Sequence, residues 1–394
     1  MPDLPDSRKA AYRFILLLGV VSLLADVTYE GARSITGPYL GLLGAGAVVV
    51  GAVAGAGEMV GYVLRLASGY LADRTRGYWT LVMLGYAVNL LAVPALALTG
   101  RWETAAVLII VERTGKAIRA PSRDVLLAGA AKAVGTGWGF GIHEAMDQIG
   151  ALTGPLIVAG VIASMHSYRV GFAVLLVPAL AALGVLVAAR LKYPNPVPPA
   201  AEPGPVAGNS LPQRFWIYVA AAGLIAAGFA DFPLAAFHWK AAGVASDTWI
   251  PLLYALAMGV DALAALAFGR LFDRWGEAVL VGAPLVAALA APLIFSRSFA
   301  GAVVGMVFWG VSMGAQESVM RAAIAKMAPL SKRGSAYGAF NTVYGLCWFA
   351  GSALMGLLYQ ASASRLVVFS VCAQLASVPL LFKMGRWKFR AAQS

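Results

Sequence analysis

Apolar residues dominate twelve stretches of this chain, near residues 14 to 35, 46 to 68, 79 to 99, 104 to 121, 136 to 163, 168 to 190, 215 to 237, 249 to 270, 278 to 296, 299 to 320, 336 to 359 and 364 to 384. A helix needs ~20 such residues to cross the hydrocarbon core of a bilayer, so each stretch predicts one crossing. The polar interruptions are selective. Nine carboxylates fall inside the stretches: Asp26, Glu30, Glu58, Glu112, Glu144, Asp147, Asp231, Asp261 and Glu317. They sit on spans 1, 2, 4, 5, 7, 8 and 10, while spans 3, 6, 9 and 12 carry none. An ionised side chain in lipid costs several kcal/mol unless it faces a bundle interior or a wet cavity. The pattern therefore predicts an all-α membrane protein of twelve transmembrane helices, some lining a cavity, which is the charge map of a membrane transporter.

Between spans 6 and 7 the run from Lys192 to Arg214 contains seven prolines and little apolar bulk, the composition of an extended linker. It separates an amino-terminal six-helix bundle, residues 1–191, from a carboxy-terminal one, residues 215–394, with 192–214 as a cytoplasmic linker. The bundles echo each other. GYLADR at Gly69 to Arg74 recurs as GRLFDR at Gly269 to Arg274, each closing the second span of its half. Asp26 pairs with Asp231, Phe140-Gly141 with Tyr337-Gly338, and Gly154 with Gly351 at a similar offset. A parallel repeat of this kind relates two halves by a pseudo-two-fold axis and places a substrate site between them at the bilayer midplane.

Composition agrees with this reading: 60% of the residues are hydrophobic and 12% charged, against about a quarter charged in soluble domains. The net charge of +12 does not point to nucleic acid, because most Lys and Arg sort into the termini and alternate loops. Arg101, Arg169, Lys240, Arg297 and Arg365 fall on the opposite side, and Arg33, Arg65 and Arg113 are read inside spans. The positive-inside rule then places both termini in the cytoplasm. Span 1 runs on through Asp26 and Glu30 without a cleavage site and is read as retained rather than as a signal peptide. Cys347 and Cys372 both lie in apolar spans, which argues against a disulfide framework or a thiolate metal site.

GYLADRTRGY and GRLFDRWG resemble the G-x-L-A-D-R-x-G-R-[RK] signature of the major facilitator superfamily, and the resemblance covers essentially the whole chain. In the first copy the second glycine comes one place late, at Gly77; the second copy keeps the spacing, with Gly276. The resemblance implies a gate at the cytoplasmic side built from Gly69, Asp73, Arg74, Gly269, Asp273 and Arg274, the Asp accepting from a helix N-terminus and the Arg pairing with a carboxylate. GALTGP, with Gly150, Gly154 and Pro155, resembles the G-x-x-x-G-P element of exporters that exchange substrate for protons. The span 4 pattern of an Arg followed four places later by Gly is not matched, since Arg113 is followed by Ala117. ADVTYEGARSITGPYL and ERTGKAIRAPSRD resemble a bacterial branch of the superfamily.

Asp26, Glu58, Glu112, Asp147 and Asp261 fall within about a turn of their span centres at 1.5 Å of rise per residue. Glu30 and Arg33, three apart, form a local pair, which leaves Asp26 without one. Glu112 and Arg113 are adjacent and diverge, so Arg113 is expected to pair with another helix, at Glu58, Glu144 or Asp147. Arg65 snorkels toward the inner end of span 2. With three internal arginines set against nine acids, about six carboxylates are left over. Asp26 and Asp147 are the expected proton-coupling or cation-binding groups, with Glu58, Glu112, Asp231 and Asp261 completing an acidic set. Tyr29, Glu30, Arg113, Glu144, Gln148, Phe232, Tyr254, Trp309, Asn341, Tyr344 and Trp348 are the candidate cavity lining, the aromatics suiting amphipathic or cationic ligands. Glu317 reads as a gate residue, and His143, beside a loop, as solvated.

Enzyme-like features dissolve on inspection. GTGWGFG, residues 135–141, lacks the strand and Lys-Ser/Thr of a phosphate loop. His143-Glu144 has no second histidine four places on. GAGEMVG, residues 55–61, reads as close helix packing around Glu58. No cofactor and no nucleotide-binding module is expected, which leaves ion gradients as the energy source. The expectation is a monomeric multi-pass protein of a bacterial inner membrane, its partners protons, the bilayer and a small molecule or ion. Its leading function is proton-coupled antiport exporting a cationic or amphipathic small molecule, a metal ion or a chelate. Proton symport of a small metabolite, or a non-transporting receptor or assembly role, are the alternatives.

Overall fold

The computed structural model describes residues 7–194, 211–328 and 333–391. Most of the expected linker, residues 195–210, lies outside these. Among the described residues the chain forms helices and no strand. The first six spans are α1 (Ser7–Leu42), α2 (Ala47–Thr75), α3 (Tyr78–Ala95) with a 3-10 turn Leu96–Leu98, α4 (Trp102–Ala131), α5 (Thr136–Met165), and α6 (Tyr168–Val174) followed by α7 (Leu176–Lys192). The second six are α8 (Gln213–Gly228) with α9 (Phe232–Ala241), α10 (Trp249–Trp275), a 3-10 segment Gly276–Val281 with α11 (Gly282–Ile294), α12 (Phe299–Met327), α13 (Arg333–Ala361) and α14 (Ala363–Ala391). Ten apolar stretches are long enough to cross a membrane. α4 is too charged to count among them, and α10 and α11 run together through the 3-10 segment. Adding both gives the twelve crossings of the hydropathy pattern.

The chain divides into two compact units. The first holds residues 1–35 and 63–202; the second holds residues 36–62 and 203–394, so the hairpin joining α1 to α2 packs within the second unit. The repeat is visible in the pairings. In the first unit α3 packs on α4 and α7, and in the second α11 packs on α12 and α14. Gly154 of α5 lies against the Val27 carbonyl of α1, and Gly351 of α13 lies against Ala227 of α8. At both places a Cβ would collide with the neighbouring backbone, so the two repeat-related glycines let two helix axes close to a distance no larger residue permits.

Two departures from the hydropathy pattern have local causes. Span 7 is read as one helix but breaks between Gly228 and Phe232. Pro233 lacks the N–H that would bond the Phe229 carbonyl. In a membrane the freed carbonyls need partners from the protein. Gln374 Nε2 donates to Ile225 O at 2.9 Å, Ser370 Oγ to Gly228 O at 2.6 Å, and Trp309 Nε1 to Ala230 O at 2.9 Å. Span 4 is read as ending at residue 121, whereas α4 continues to Ala131. α4 carries Lys116 and Arg119, which fall within the span as read yet are left out of its internal cations, and Arg123, which lies beyond the expected end.

The late glycine of the first gate motif also has a backbone meaning. α10 ends on Gly276 at φ 65°, its N–H bonded to the Phe272 carbonyl. α2 turns at the same place in its motif, on Arg76 at φ 52°, with its N–H 2.8 Å from Ala72 O, one residue before the late glycine Gly77. A positive φ is thus taken by glycine in one half and by arginine in the other, Gly276 with ψ −142°, a region that favours glycine. That conformation costs a residue with a Cβ roughly 1 kcal/mol, and glycine almost nothing. Arg76→Gly should therefore raise stability by up to about 1 kcal/mol, and Gly276→Ala should lower it by about 1–3 kcal/mol, both read as thermal unfolding in detergent.

Candidate functional site

α5 is brought against α1 by its GALTGP element. A side chain at Gly150 would strike the Leu23 carbonyl and stand 2.8 Å from Asp26 Cβ; one at Gly154 would strike the Val27 carbonyl and stand 2.9 Å from Gly31 N. Pro155 follows and leaves the Ala151 carbonyl without its helical donor. The close approach sets Asp147, one turn before Gly150, beside Asp26. Asp147, Lys116 and Glu30 all lie within electrostatic range of Asp26. Asp26 is 6% exposed, and Oδ1 of each of these aspartates is buried with no hydrogen-bond partner.

α4 supplies the countercharges. Glu112, Lys116, Arg119 and Arg123 follow one another at helical spacings of four, three and four, so they share one face. Lys116 Nζ lies 3.7 Å from Glu30 Oε1 and 3.8 Å from the centre of the Tyr29 ring. Arg123 Nη1 lies 3.9 Å from Asp147 Oδ2 and donates to Ser22 Oγ at 3.3 Å, while its other nitrogens hold Asp124 at 2.9 and 3.1 Å. His143 is buried, not solvated as its position beside a loop implied, and its Nδ1 is 3.5 Å from Asp147 Oδ2. The arithmetic that left acids in excess is corrected by this face. Three more cations stand among the carboxylates of the first unit than the sequence reading placed there.

Arg119 differs from its neighbours. It is 1% exposed, its guanidinium lies 4.1 Å from the Tyr86 ring centre and 5.7 Å from that of Tyr29, and no carboxylate among the described residues pairs with it. Its Nε, the Tyr86 hydroxyl and the Ser122 hydroxyl are all buried without a hydrogen-bond partner. α3 and α4 meet here at Gly85, whose Cβ would stand 2.6 Å from Arg119 N, and at Gly115, whose Cβ would strike Asn89. A cation over an aromatic face gains ~0.5–2 kcal/mol, less than the several kcal/mol that burying the charge costs.

Glu112 stands apart from the aspartate pair. Asn89 Nδ2 donates to its Oε1 at 2.7 Å and to its main-chain oxygen at 3.1 Å, and Arg113 Nε lies 3.3 Å from its Oε2. The expected cross-helix partner for Arg113 is thus corrected in part: its flexible side chain also bends back to its neighbour in sequence. Glu144 is exposed and accepts from Gln148 at 3.4 Å, one turn along α5.

In the second unit Asp231 sits at the break before α9, accepting from Trp348 Nε1 at 2.9 Å and from the Ser352 hydroxyl. The expected aromatic lining is closed on itself. Phe232 and Tyr254 have ring centres 4.3 Å apart, Phe229 stands 5.2 Å from Trp309 and 5.6 Å from Trp348, and Tyr344 lies 5.6 Å from Trp348. Tyr344 donates to Gln316 Oε1 at 2.8 Å. Phe232, Tyr254, Trp309, Tyr344 and Trp348 are buried in this structure, so they form a core around the broken helix rather than an open wall. Asp261 is buried where α12 crosses α10 through Gly314, Glu58 is half-buried on α2, and Asn341 is half-buried on α13. Among the described residues no three His, Cys, Asp or Glu converge as a metal site would. Asp73, Arg74, Asp273 and Arg274 are exposed on the last turns of α2 and α10, and among the described residues none makes the expected pair.

Residues 13–352 match the Major Facilitator Superfamily. The chain belongs to this superfamily. It is 41% identical over 382 residues to an uncharacterized protein of Mycobacterium tuberculosis, covering 95% of this chain and 93% of that one. An uncharacterized MFS-type transporter of Methanocaldococcus jannaschii is 22% identical over 93% of this chain and 94% of its own. Among solved structures, the nucleoside transporter NupG superposes with a TM-score of 0.72 at 13% identity, over 95% of this chain and 98% of that one. A peptide transporter, POT, gives 0.74 at 16% identity, over 96% and 94%. At these identities the likeness is one of fold. The protein is a multi-pass membrane protein with the family and fold of transporters.

In this superfamily member, sequence reasoning found Asp26, Asp147, Glu30 and the α5 glycines but missed Lys116, Arg119, Arg123, Tyr86, Asn89 and Ser22. The helical spacing of residues 112, 116, 119 and 123 is the signal that would have found the cations. Asp231 is the second unit's most enclosed carboxylate. Trp348→Phe removes one of its donors and should cost about 1–3 kcal/mol in unfolding experiments, and Asp231→Asn in the same chain should recover part of that loss.

Proposed function

We propose that this protein is a proton-coupled secondary transporter working by alternating access, and that Asp26 and Asp147 are its coupling pair. One observation supports the reading: the glycine face of α5 holds the buried Asp26 and the half-buried Asp147 together within reach of Lys116 and Arg123. Buried carboxyls change protonation when their access to water changes. A pair with cations beside it therefore ties proton binding to bundle movement. His143 stands on the Asp147 side of the pair, toward the start of α5. The protein resides in a bacterial inner membrane with both termini in the cytoplasm, as the distribution of Lys and Arg in its loops supports, and works as a monomer.

Export by proton antiport is the first reading, because the element that packs α5 on α1 is the one resembling that of exporters. The substrate is an amphipathic small molecule. The preference for a cation or metal ion is weakened, since it rested on setting only Arg33, Arg65 and Arg113 against nine acids, and Lys116, Arg119 and Arg123 stand among them as well. Uptake of a small metabolite by proton symport is the second reading, favoured by the mixed charge those residues create.

Purified protein in proteoliposomes with an acidic interior, challenged from outside with organic cations, organic acids, nucleosides and siderophores, tests both readings through a pH-sensitive dye. Proton exit evoked by one class, and abolished in Asp26→Asn and in Asp147→Asn while both variants remain folded, is the expected result. Evoked proton movement of wild-type size in either variant would remove that residue from the coupling role; inward co-movement with substrate would replace antiport by symport.

A further inference from the structure

We propose that Arg119, with the hydroxyls of Tyr86 and Ser122, is a binding subsite for an oxyanion, a carboxylate or phosphoryl group, and that the transported substrate carries such a group. The proposal deepens the transport reading and rests on it for the word substrate; the binding itself does not depend on proton coupling.

The argument is one of donors without acceptors. Arg119 has only N–H groups to offer and is fully buried, and none of the described carboxylates pairs with it. Buried polar atoms in proteins almost always have a partner, so an orphan needs a specific explanation. Here three occur together: Arg119 Nε, the Tyr86 hydroxyl against whose ring the guanidinium packs, and the Ser122 hydroxyl one turn further along the same face of α4. Ser122 is notable because serine in a helix commonly bonds back to the carbonyl four residues earlier, and here it does not. All three groups can donate, and an oxyanion offers only acceptors. The planar guanidinium fork matches a carboxylate or phosphate through two parallel bonds, and Arg serves this purpose better than Lys.

The surroundings are consistent with a site that opens. Two acids of the cluster have cations of their own, Glu30 with Lys116 at 3.7 Å and Asp147 with Arg123 at 3.9 Å, and Asp26 acts on Arg119 through its charge without forming an ion pair with it. Tyr29 covers the guanidinium at 5.7 Å and is itself held by Lys116 at 3.8 Å. Loading therefore requires the Tyr29 ring to swing aside. That motion would also disturb Lys116 and, through Glu30, the neighbourhood of Asp26, linking an arriving anion to the proton-coupling pair through adjacent side chains.

The test is ligand-dependent thermal unfolding of the full-length protein in lipid-free detergent at constant ionic strength. The probes are benzoate, succinate, inorganic phosphate and glycerol 3-phosphate, with benzamide as the neutral control. At least one oxyanion should raise the unfolding temperature saturably while benzamide does not. Arg119→Gln should weaken the apparent affinity at least about tenfold, with Arg119→Lys intermediate. Tyr86→Phe and Ser122→Ala are the decisive variants, because each deletes a hydroxyl that bonds nothing in the protein. They should leave the unliganded unfolding temperature unchanged and still weaken the probe.

No saturable effect of any oxyanion on folded wild-type protein, or an effect untouched by Arg119→Gln, would overturn the subsite. Repetition in nanodiscs separates the sources: stabilisation by phosphatidylglycerol over phosphatidylcholine, lost in Arg119→Gln and matched by no soluble anion, would overturn the substrate assignment in favour of a lipid headgroup. Because this assay reads binding without flux, saturable binding alongside absent proton movement would sink the coupling proposal and leave the subsite standing.

Discussion

In the hydrocarbon core a polar group has only the protein to bond with, and this one constraint organises the structure. It explains why the broken helix after Gly228 is surrounded by Gln374, Ser370 and Trp309, each donating to a carbonyl at the end of α8 or in the break. It explains why Glu112 is flanked by Asn89 and Arg113, and why Asp231 receives Trp348 and Ser352. Where the constraint is satisfied, the residues are architecture. Where it is left open, at Asp26, Asp147 and Arg119, function is the economical explanation, since an unsatisfied group in a bundle interior persists only if something else uses it.

Close backbone approach is the means by which these groups meet. Gly150 and Gly154 bring α5 onto α1 at the level of Asp26, and Gly85 and Gly115 bring α4 onto α3 at the level of Arg119. With no hydrophobic drive between helices in lipid, such contacts depend on packing alone, so losing the small residue loses the contact. The two halves use the principle in the same place, Gly154 on Val27 and Gly351 on Ala227, yet hold different chemistry there. The first unit builds a charged cluster of Asp, Glu, Lys and Arg. The second builds an aromatic core around Asp231.

The function follows from this asymmetry more than from the shared fold. A superfamily fold hosts many substrates, and the site has to be argued from its own side chains. The cations on α4 change that argument, because they turn an acidic set into a mixed one and remove the reason to prefer a cationic cargo. Arg119 then becomes the residue whose environment asks for an anion.

The sequence by itself determined the twelve crossings, the internal repeat and the acids at midspan, because hydropathy is a property of residue type and lipid reads little else. It determined Asp26 and Asp147 as candidates for the same reason: a carboxylate in an apolar run is visible without coordinates. Only the tertiary structure decided which charges meet. Hydropathy ends span 4 at residue 121, which leaves Arg123 in a loop, and it gives no reason to set Lys116 and Arg119 against the acids, whereas packing against α1, α3 and α5 carries the helix through all three and brings them to those helices. The aromatic residues looked like cavity lining because a face of a helix is legible in spacing, but what that face touches is not; in the fold they stack on one another. The break at Phe229 to Asp231 was hidden because a proline two residues into a helix start reads the same as one inside a helix, until the partners of the freed carbonyls are seen.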